Sequence, residues 1–295
     1  MVPVLLGITI LVFGLVRLSG DPVSLLLPED APPEQIQQLR ESMGLDRPIV
    51  VQYLNYLGGA VRGDFGTSLR YSGQPALEVV LERLPATLLL AASSLLIGII
   101  LSIGAALVSV IRPNTVVDLL VRSVAVLGQA MPNFWLGIML ILLFSVQLGW
   151  LPVSGYGEFR HLILPAVTLG ASLTAMLVQL LRGQLLEVLG QDYIRTAHAK
   201  GITPRSVLFR HALRNAMISY LTIVGLQLAN LVAGAVVTEQ VFAWPGIGLL
   251  SVQAVNYRDM NVIQAIVLVS AVMVMFANLL IDVLYSLVDP RVRYA

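Results

Sequence analysis

The chain has 295 residues, 57% of them hydrophobic and only 12% charged, with a mean hydropathy of +0.84 and a net charge of +1. Soluble domains carry about 25% charged residues, so a water-soluble globule of this length lacks the polar surface to cover its core. The absence of cysteine excludes disulfides and thiolate chemistry, and what remains is a polytopic membrane protein, all-α once its apolar runs are read as helical spans.

A bilayer span needs about 20 predominantly apolar residues. Met1 to Val16 is one such run, slightly short. It has neither the basic start nor the small-residue cleavage site of a signal peptide. It reads as a membrane helix that begins abruptly, with some residues expected before Met1. The segment that follows is more polar. "PPEQIQQLRESMGL" opens on prolines suited to a first helical turn and closes on Gly44 as a helix cap. "RPIVVQYLNYLGGAVRG" places Ile49, Tyr53, Leu54 and Leu57 at helical spacing, with Gly58-Gly59 as a break. Arg83 to Arg112 encloses a second span with no internal charge. Arg122 to Glu158 encloses a third, too long for one helix, so its end "QLGWLPVSGYG" is expected as a loop. Leu162–Leu181, Asn215–Thr238 and Met260–Ile281 bring the number to six. The expected layout is a first membrane helix over 1–17, an extracytoplasmic segment with short helices over 18–84, and a five-helix core over 85–295. That core carries a loop at about 183–216.

Arg and Lys in the loops set orientation. Segment 18–84 holds nine acids (Asp21, Glu29, Asp30, Glu34, Glu41, Asp46, Asp64, Glu78, Glu82) against five arginines. From Arg182 to Arg214 there are six bases against Glu187 and Asp192 alone. The link 112–122 and the tail "DPRVRYA" each add two arginines. Six spans put all three basic pieces on one side, so both termini are expected in the cytoplasm and the acidic segment outside.

The basic loop, "DYIRTAHAKGITPRSVLFRHALRN", belongs to neither flanking span. "LLEVLGQDYIRTAHAKG" can run as a helix with Gly190 as a weak point and Gly201 just past its end. Thr203-Pro204 reads as an N-cap followed by proline at the first helical position. A helix, a glycine turn and a second helix would project into the cytoplasm. The small residues Ala197, Ala199 and Gly201 would leave room for close backbone contact. Charge alone is equally served by a plain connector obeying the positive-inside rule.

Other positions carry less chemistry. His161, His198 and His211 are scattered and share no helix face with carboxylates at ligand spacing. His198 and His211 fit the polar faces of the loop helices. Ser93-Ser94 is expected to bond the helix backbone. Glu239 and Asp282 fall near span ends, where an acid is a functional candidate but where solvent, Arg258 or Arg291 can also serve it. Asn133, Gln227, Asn230 and Glu239 are the candidate lining of a translocation path. Gly98, Gly104 and Gly234 suit close helix packing. "FAWPGIGLL" is expected as an outer re-entrant or gating turn, since such backbone must be buried in protein or face water. The single lysine, Lys200, has no G-x-x-x-x-G-K-[ST] around it, so the chain has no P-loop of its own.

The loop "YIRTAHAKGITPRSVLFRHALRNAM" resembles the cytoplasmic loop of ABC-transporter permeases of the dipeptide/oligopeptide branch. The wider family has Glu-Ala-Ala, three residues, then Gly, and an Ile-x-Leu-Pro further on. Here Arg195-Thr196-Ala197 stands for Glu-Ala-Ala and Gly201 is in register, while His211-Ala212-Leu213-Arg214 occupies the second motif. The leading acid, the Ile and the final Pro are absent, as is usual in the peptide branch. "SGDPVSLL", "MGLDRPIVVQYLNYLGGAVRGDFGTSL", "MPNFWLGIMLILLFS", "LGWLPVSGYG", "VVTEQVFAWPGIGLL" and "LIDVLYSLVDPRVRYA" are similar to the same branch, in order. An Arg-Arg pair that usually precedes the first span is missing.

The resemblance implies a type I importer permease of six helices in a bacterial or archaeal cytoplasmic membrane, with no enzymatic activity of its own. It would bind no cofactor; ATP and Mg would sit on two cytoplasmic ATPase subunits. Asp192, Tyr193, Arg195, Thr196, Ala197, Ala199, Lys200, Gly201, Arg205, Arg210, His211, Arg214 and Asn215 would form the coupling loop docked on them. A sister permease, by the branch habit a paralogue, would complete the path through the bilayer. An extracytoplasmic binding protein would deliver a dipeptide or oligopeptide; nucleic acid has no part. Related branches carry nickel, glutathione or other small solutes. An ion-coupled secondary transporter would instead need acids or broken helices at mid-membrane, and an intramembrane enzyme a catalytic pair at depth.

Overall fold

The computed structural model describes residues 2–18, 32–42, 44–71 and 73–288, with no β-strand among them. "SGDPVSLL", Arg291 and the rest of "DPRVRYA" lie outside the described residues, as do the side chains of Asp282 and the surroundings of Gly234. The helices are α1 (Val2–Leu18), α2 (Pro33–Ser42), α3 (Ile49–Val61), α4 (Ala76–Ile111), α5 (Val116–Ala130), α6 (Asn133–Leu140) and α7 (Phe159–Leu189). They continue with α8 (Asp192–Ala199), α9 (Leu213–Val241), α10 (Ile247–Asn256) and α11 (Met260–Val288). Among the described residues three stretches, Ala76–Ile111, Phe159–Leu189 and Met260–Leu279, are long and apolar enough to cross a membrane.

The third apolar run is where the fold departs most from a simple span. It forms α5 and α6, bent by 109° at Met131-Pro132. Proline disfavours the helical conformation for the residue before it; α4 and α7 run through Pro85 and Pro165 all the same, but here the helix breaks, with Met131 at ψ 129° and Pro132 at ψ 135°. If the bent pair counts as one broken span, four segments meet the length and hydropathy a bilayer requires. A π-helical turn, Ile141–Gln147, extends α6, and Gly149 at φ +63° opens the expected loop over 148–158.

The residues group into two compact units, Met1–Pro85 with Leu250–Met275, and Ala86–Leu249 with Phe276–Ala295. In the first unit α1 lies on α3 through a hydroxyl pair, Thr9 Oγ1 to Tyr53 Oη at 2.9 Å, and through Phe13 edge-on to Tyr53. The loop before α4 is tied to the start of α11 by one buried carboxylate. Asp259 accepts from Ser68 Oγ at 2.6 Å and from the Leu69 N–H at 3.0 Å, and caps the Val262 N–H at 3.3 Å.

In the second unit α4, α7 and α9 enclose the main core, which includes Leu90, Leu177, Leu181, Leu185 and Tyr220. The Tyr220 hydroxyl finds Ser102 at 2.7 Å, so the aromatic ring is buried without an orphaned oxygen. Ser94 donates to the Leu90 carbonyl at 2.8 Å, as the sequence leads one to expect. α4 and α7 approach closely at Gly170. A Cβ at Gly170 would lie 2.9 Å from the Ser94 carbonyl oxygen, whereas one at Gly98 would meet the side chains of Leu173 and Thr174, and Gly104 faces open space. Small residues that let backbones touch are a recurrent solution for helix pairs in lipid.

Gly170→Ala is therefore expected to force α4 and α7 apart at a cost of about 1–3 kcal/mol, the range for overpacking a tight interior. Thermal melting in detergent should show a lowered midpoint for Gly170→Ala and an unchanged or raised one for Gly104→Ala, where alanine is the better helix former and meets nothing. Equal midpoints would contradict the close contact.

Candidate functional site

α7 runs well past the length a bilayer needs and ends at Gly190. There Gln191 turns extended at ψ 153° and α8 begins, so the helix out of the span breaks at the glycine instead of running through it. α8 closes in a Schellman cap. The Gly201 N–H donates to the His198 carbonyl at 2.9 Å, and the Ile202 N–H to Ala197 at 3.2 Å. Gly201 holds φ +77°, the left-handed region that favours glycine. Thr203 then caps the next turn by accepting the Ser206 N–H at 3.4 Å, with Pro204 at the first helical position. A π-helical turn, Val207–Ala212, leads into α9.

The result is a hairpin with a small apolar core of its own: Ile194, Ala197 and Val207, closed by Leu189 and Ile202. Ala197 thus points inward, which removes it from any contact surface. Asp192, Tyr193, Arg195, Thr196, Ala199, Lys200, Gly201, Arg205, Arg210, Arg214 and Asn215 are exposed, and His211 is half-buried. Asn215 Nδ2 donates to the Tyr193 hydroxyl at 2.6 Å and ties the base of the hairpin. The Arg195–Asp192 pair, 3.3 Å apart and open to water, adds little to stability.

Two turns before the hairpin, Arg182 of α7 forks onto Asp118 of α5 with contacts of 2.9 and 3.0 Å. Asp118 is fully buried; Ser109 of α4 also donates to it, and so does the Asn114 N–H at 3.0 Å. Arg122, one turn along α5, stands 3.5 Å away. This cluster binds the ends of three helices together. The sequence holds one signal for it, a lone acid in a link otherwise read only for its arginines.

The four positions expected to line a path separate into two kinds. Asn133 is half-buried at the start of α6. Gln227 and Asn230 are partly open on α9 and bonded to each other at 3.0 Å, with Gln227 also 3.1 Å from the Met176 sulfur. Glu239 differs from these. It is wholly buried, accepting from Thr87 Oγ1 at 2.7 Å and from the Leu249 N–H at 3.0 Å, and the Gly248 N–H also donates to it. Its carboxylate is spent on the protein interior, so it faces no open path in this structure. Around it the "FAWPGIGLL" segment folds back: Phe242 and Trp244 are buried, the Trp244 indole donates to the Ala86 carbonyl at 2.9 Å, and Ile247 N–H donates to Thr87 at 2.8 Å.

Comparison with known proteins places this architecture. Two solved structures share the fold. An inward-facing methionine ABC transporter matches with a TM-score of 0.61 at 18% identity, over 72% of this chain and 96% of that one. An amino acid ABC transporter matches with a TM-score of 0.56 at 16% identity, over 70% and 93%. These matches show that the fold is one found in ABC transporters.

Residues 98–294 match the binding-protein-dependent transport system inner membrane component, and residues 1–91 its N-terminal companion. The chain belongs to this family and is a multi-pass permease subunit of a binding-protein-dependent transport system. It is 43% identical to an oligopeptide transport system permease protein of Bacillus subtilis, across 99% of this chain and 96% of that one. It is 40% identical to a dipeptide transport system permease protein of Alkalihalophilus pseudofirmus, across 100% and 97%. The same 40% holds for a glutathione transport system permease protein of Escherichia coli, across 100% and 96%.

Replacing Asp118 by asparagine keeps its shape but leaves the Arg182 guanidinium without its buried anion, the costly way to break such a pair. The melting midpoint in detergent should fall further for Asp118→Asn than for Gly170→Ala. Asp192→Asn, at the exposed pair, should leave it unchanged. A neutral Asp118→Asn would show that the cluster braces nothing.

Proposed function

We propose that this permease imports dipeptides or oligopeptides, driven by ATP hydrolysis on two separate cytoplasmic ATPase subunits. Support comes from the full-length likeness to peptide permeases and, above all, from the hairpin between α7 and α9. A connector that merely joined two spans would need neither its own apolar core nor a Schellman turn. A rigid knob with exposed bases on a chain without a P-loop is suited to being gripped by a partner. The exposed residues of the loop, from Asp192 and Tyr193 through Lys200 and Gly201 to Arg214 and Asn215, are the proposed contact surface.

In this scheme α1, α4, the broken α5–α6 pair, α7, α9 and α11 make six spans, with both termini and the hairpin in the cytoplasm. Residues 18–84 form the extracytoplasmic segment that receives a substrate-binding protein, and 85–295 form the core. A sister permease, proposed to be a paralogue, supplies the other half of the path. On this chain Asn133, Gln227 and Asn230 line it, while Glu239 braces the wall. Mg and nucleotide bind the ATPases alone. Glutathione is a second cargo to weigh, because the Escherichia coli relative at 40% identity carries that name.

The complete importer, reconstituted in proteoliposomes with its binding protein inside the assay medium and ATP in the lumen, should accumulate a labelled dipeptide. Uptake should persist when ionophores collapse all ion gradients and stop when ATP is withheld. Uptake that follows the gradients and ignores ATP would make the chain a secondary transporter. ATP-driven uptake of glutathione in preference to dipeptides would reassign the cargo.

A further inference from the structure

Glu239 sits at the far end of α9 from the hairpin. α9 is a helix of 29 residues without a break, about 44 Å at 1.5 Å per residue. One end grows out of the π-helical turn 207–212 that closes the hairpin, and the other ends at Val241. A displacement of the hairpin that moves α9 along or about its axis therefore arrives, undiminished by any hinge, at Glu239.

What Glu239 holds there is the first turn of α10. One carboxylate oxygen takes the Thr87 hydroxyl of α4 and the other the Leu249 N–H, with Gly248 donating as well. Thr87 in turn accepts the Ile247 N–H at 2.8 Å, so acid and hydroxyl together satisfy the opening donors of the helix. Every partner of the carboxylate is a donor, and only a group with two accepting oxygens serves them all. Two glycines keep the space this needs: a Cβ at Gly246 would collide with the Glu239 carboxylate, and one at Gly248 would lie 2.9 Å from Oε2 and 2.5 Å from the Val236 Cα.

A buried acid in a membrane protein is expensive, and an apolar residue would fill the same volume without that cost. An apolar contact, however, slides, whereas three directional bonds to backbone and hydroxyl do not. We propose that Glu239 and Thr87 are positioning residues of the transport cycle. They lock the 242–249 segment to α9, so that motion at the hairpin and occupancy of the opposite mouth are reported to each other. This rests on the proposed function, which puts hairpin and mouth on opposite sides of the bilayer.

The test uses the complete reconstituted importer, comparing Thr87→Val, Thr87→Ser and Glu239→Gln with the unaltered protein. Basal ATPase activity, its stimulation by peptide-loaded binding protein, and peptide moved per ATP are read in each. Thr87→Val and Glu239→Gln should keep basal ATPase activity while losing about ten-fold in peptide moved per ATP, a magnitude typical of coupling between sites. Stimulation by the loaded binding protein should vanish with it. Thr87→Ser, which keeps the hydroxyl, should restore both. If Glu239→Gln does not assemble, the Thr87 pair decides alone. Unchanged stimulation and transport per ATP in Thr87→Val, or equal loss in Thr87→Ser, would overturn the proposal. Failure of the unaltered importer to use ATP would instead overturn the proposed function.

Discussion

Backbone polar groups in a hydrocarbon environment have to be satisfied by the protein itself, and much of this chain follows from that constraint. Wherever the sequence allows, it answers with unbroken helix, as in the 36 residues of α4 and the 31 of α7. Where the helix stops, a buried carboxylate recurs. Asp118 takes the Asn114 N–H, Glu239 the Leu249 N–H, and Asp259 those of Leu69 and Val262. Each acid also takes a hydroxyl: Ser109, Thr87 and Ser68 respectively. The same device, acid plus hydroxyl plus freed amide, is used at three separate breaks. It lets irregular backbone be rigid without water.

Rigidity at those breaks gives the hairpin its mechanical setting. α7 and α9 bracket it, and both are long single helices. Arg182 ties α7 to α4 and α5 through Asp118 two turns before the hairpin starts. The hairpin joins them through the Gly190-Gln191 break on one side and the π-helical turn at Val207–Ala212 on the other; π-turns of this kind are frequent at functional positions. A partner pushing on the exposed face of α8 would thus move the helices more readily than deform the knob, because the knob has its own apolar interior.

Much of this was legible in the residues and some was not. Gly201, Thr203 and Pro204 encode the hairpin turn locally, through one left-handed glycine, one hydroxyl cap and one proline. Pro33 and Gly44 likewise frame α2, and α3 follows at the predicted spacing, but it runs through Gly58-Gly59, where a break is expected, and ends only at Val61. The bend at Met131-Pro132 was available in principle from the proline rule, but hydropathy runs straight across it. Glu239 is ambiguous in the sequence, because an acid near a span end can line a path or brace the fold. Only tertiary partners, Thr87 far back in the chain and the amides of α10, decide between them. Asp118 is silent in the sequence for the same reason: nothing nearby announces that Arg182 will cover it.

The central claim is that the hairpin is gripped by a motor, and the cysteine-free chain offers a clean test. Ala199 is exposed at the end of α8. A single cysteine there, in the importer co-assembled with its ATPase subunits, should crosslink specifically to an ATPase and do so differently with and without ATP. A nucleotide-sensitive crosslink is the predicted result. No crosslink, with the ATPases present and folded, would reduce the hairpin to a basic connector and contradict the account.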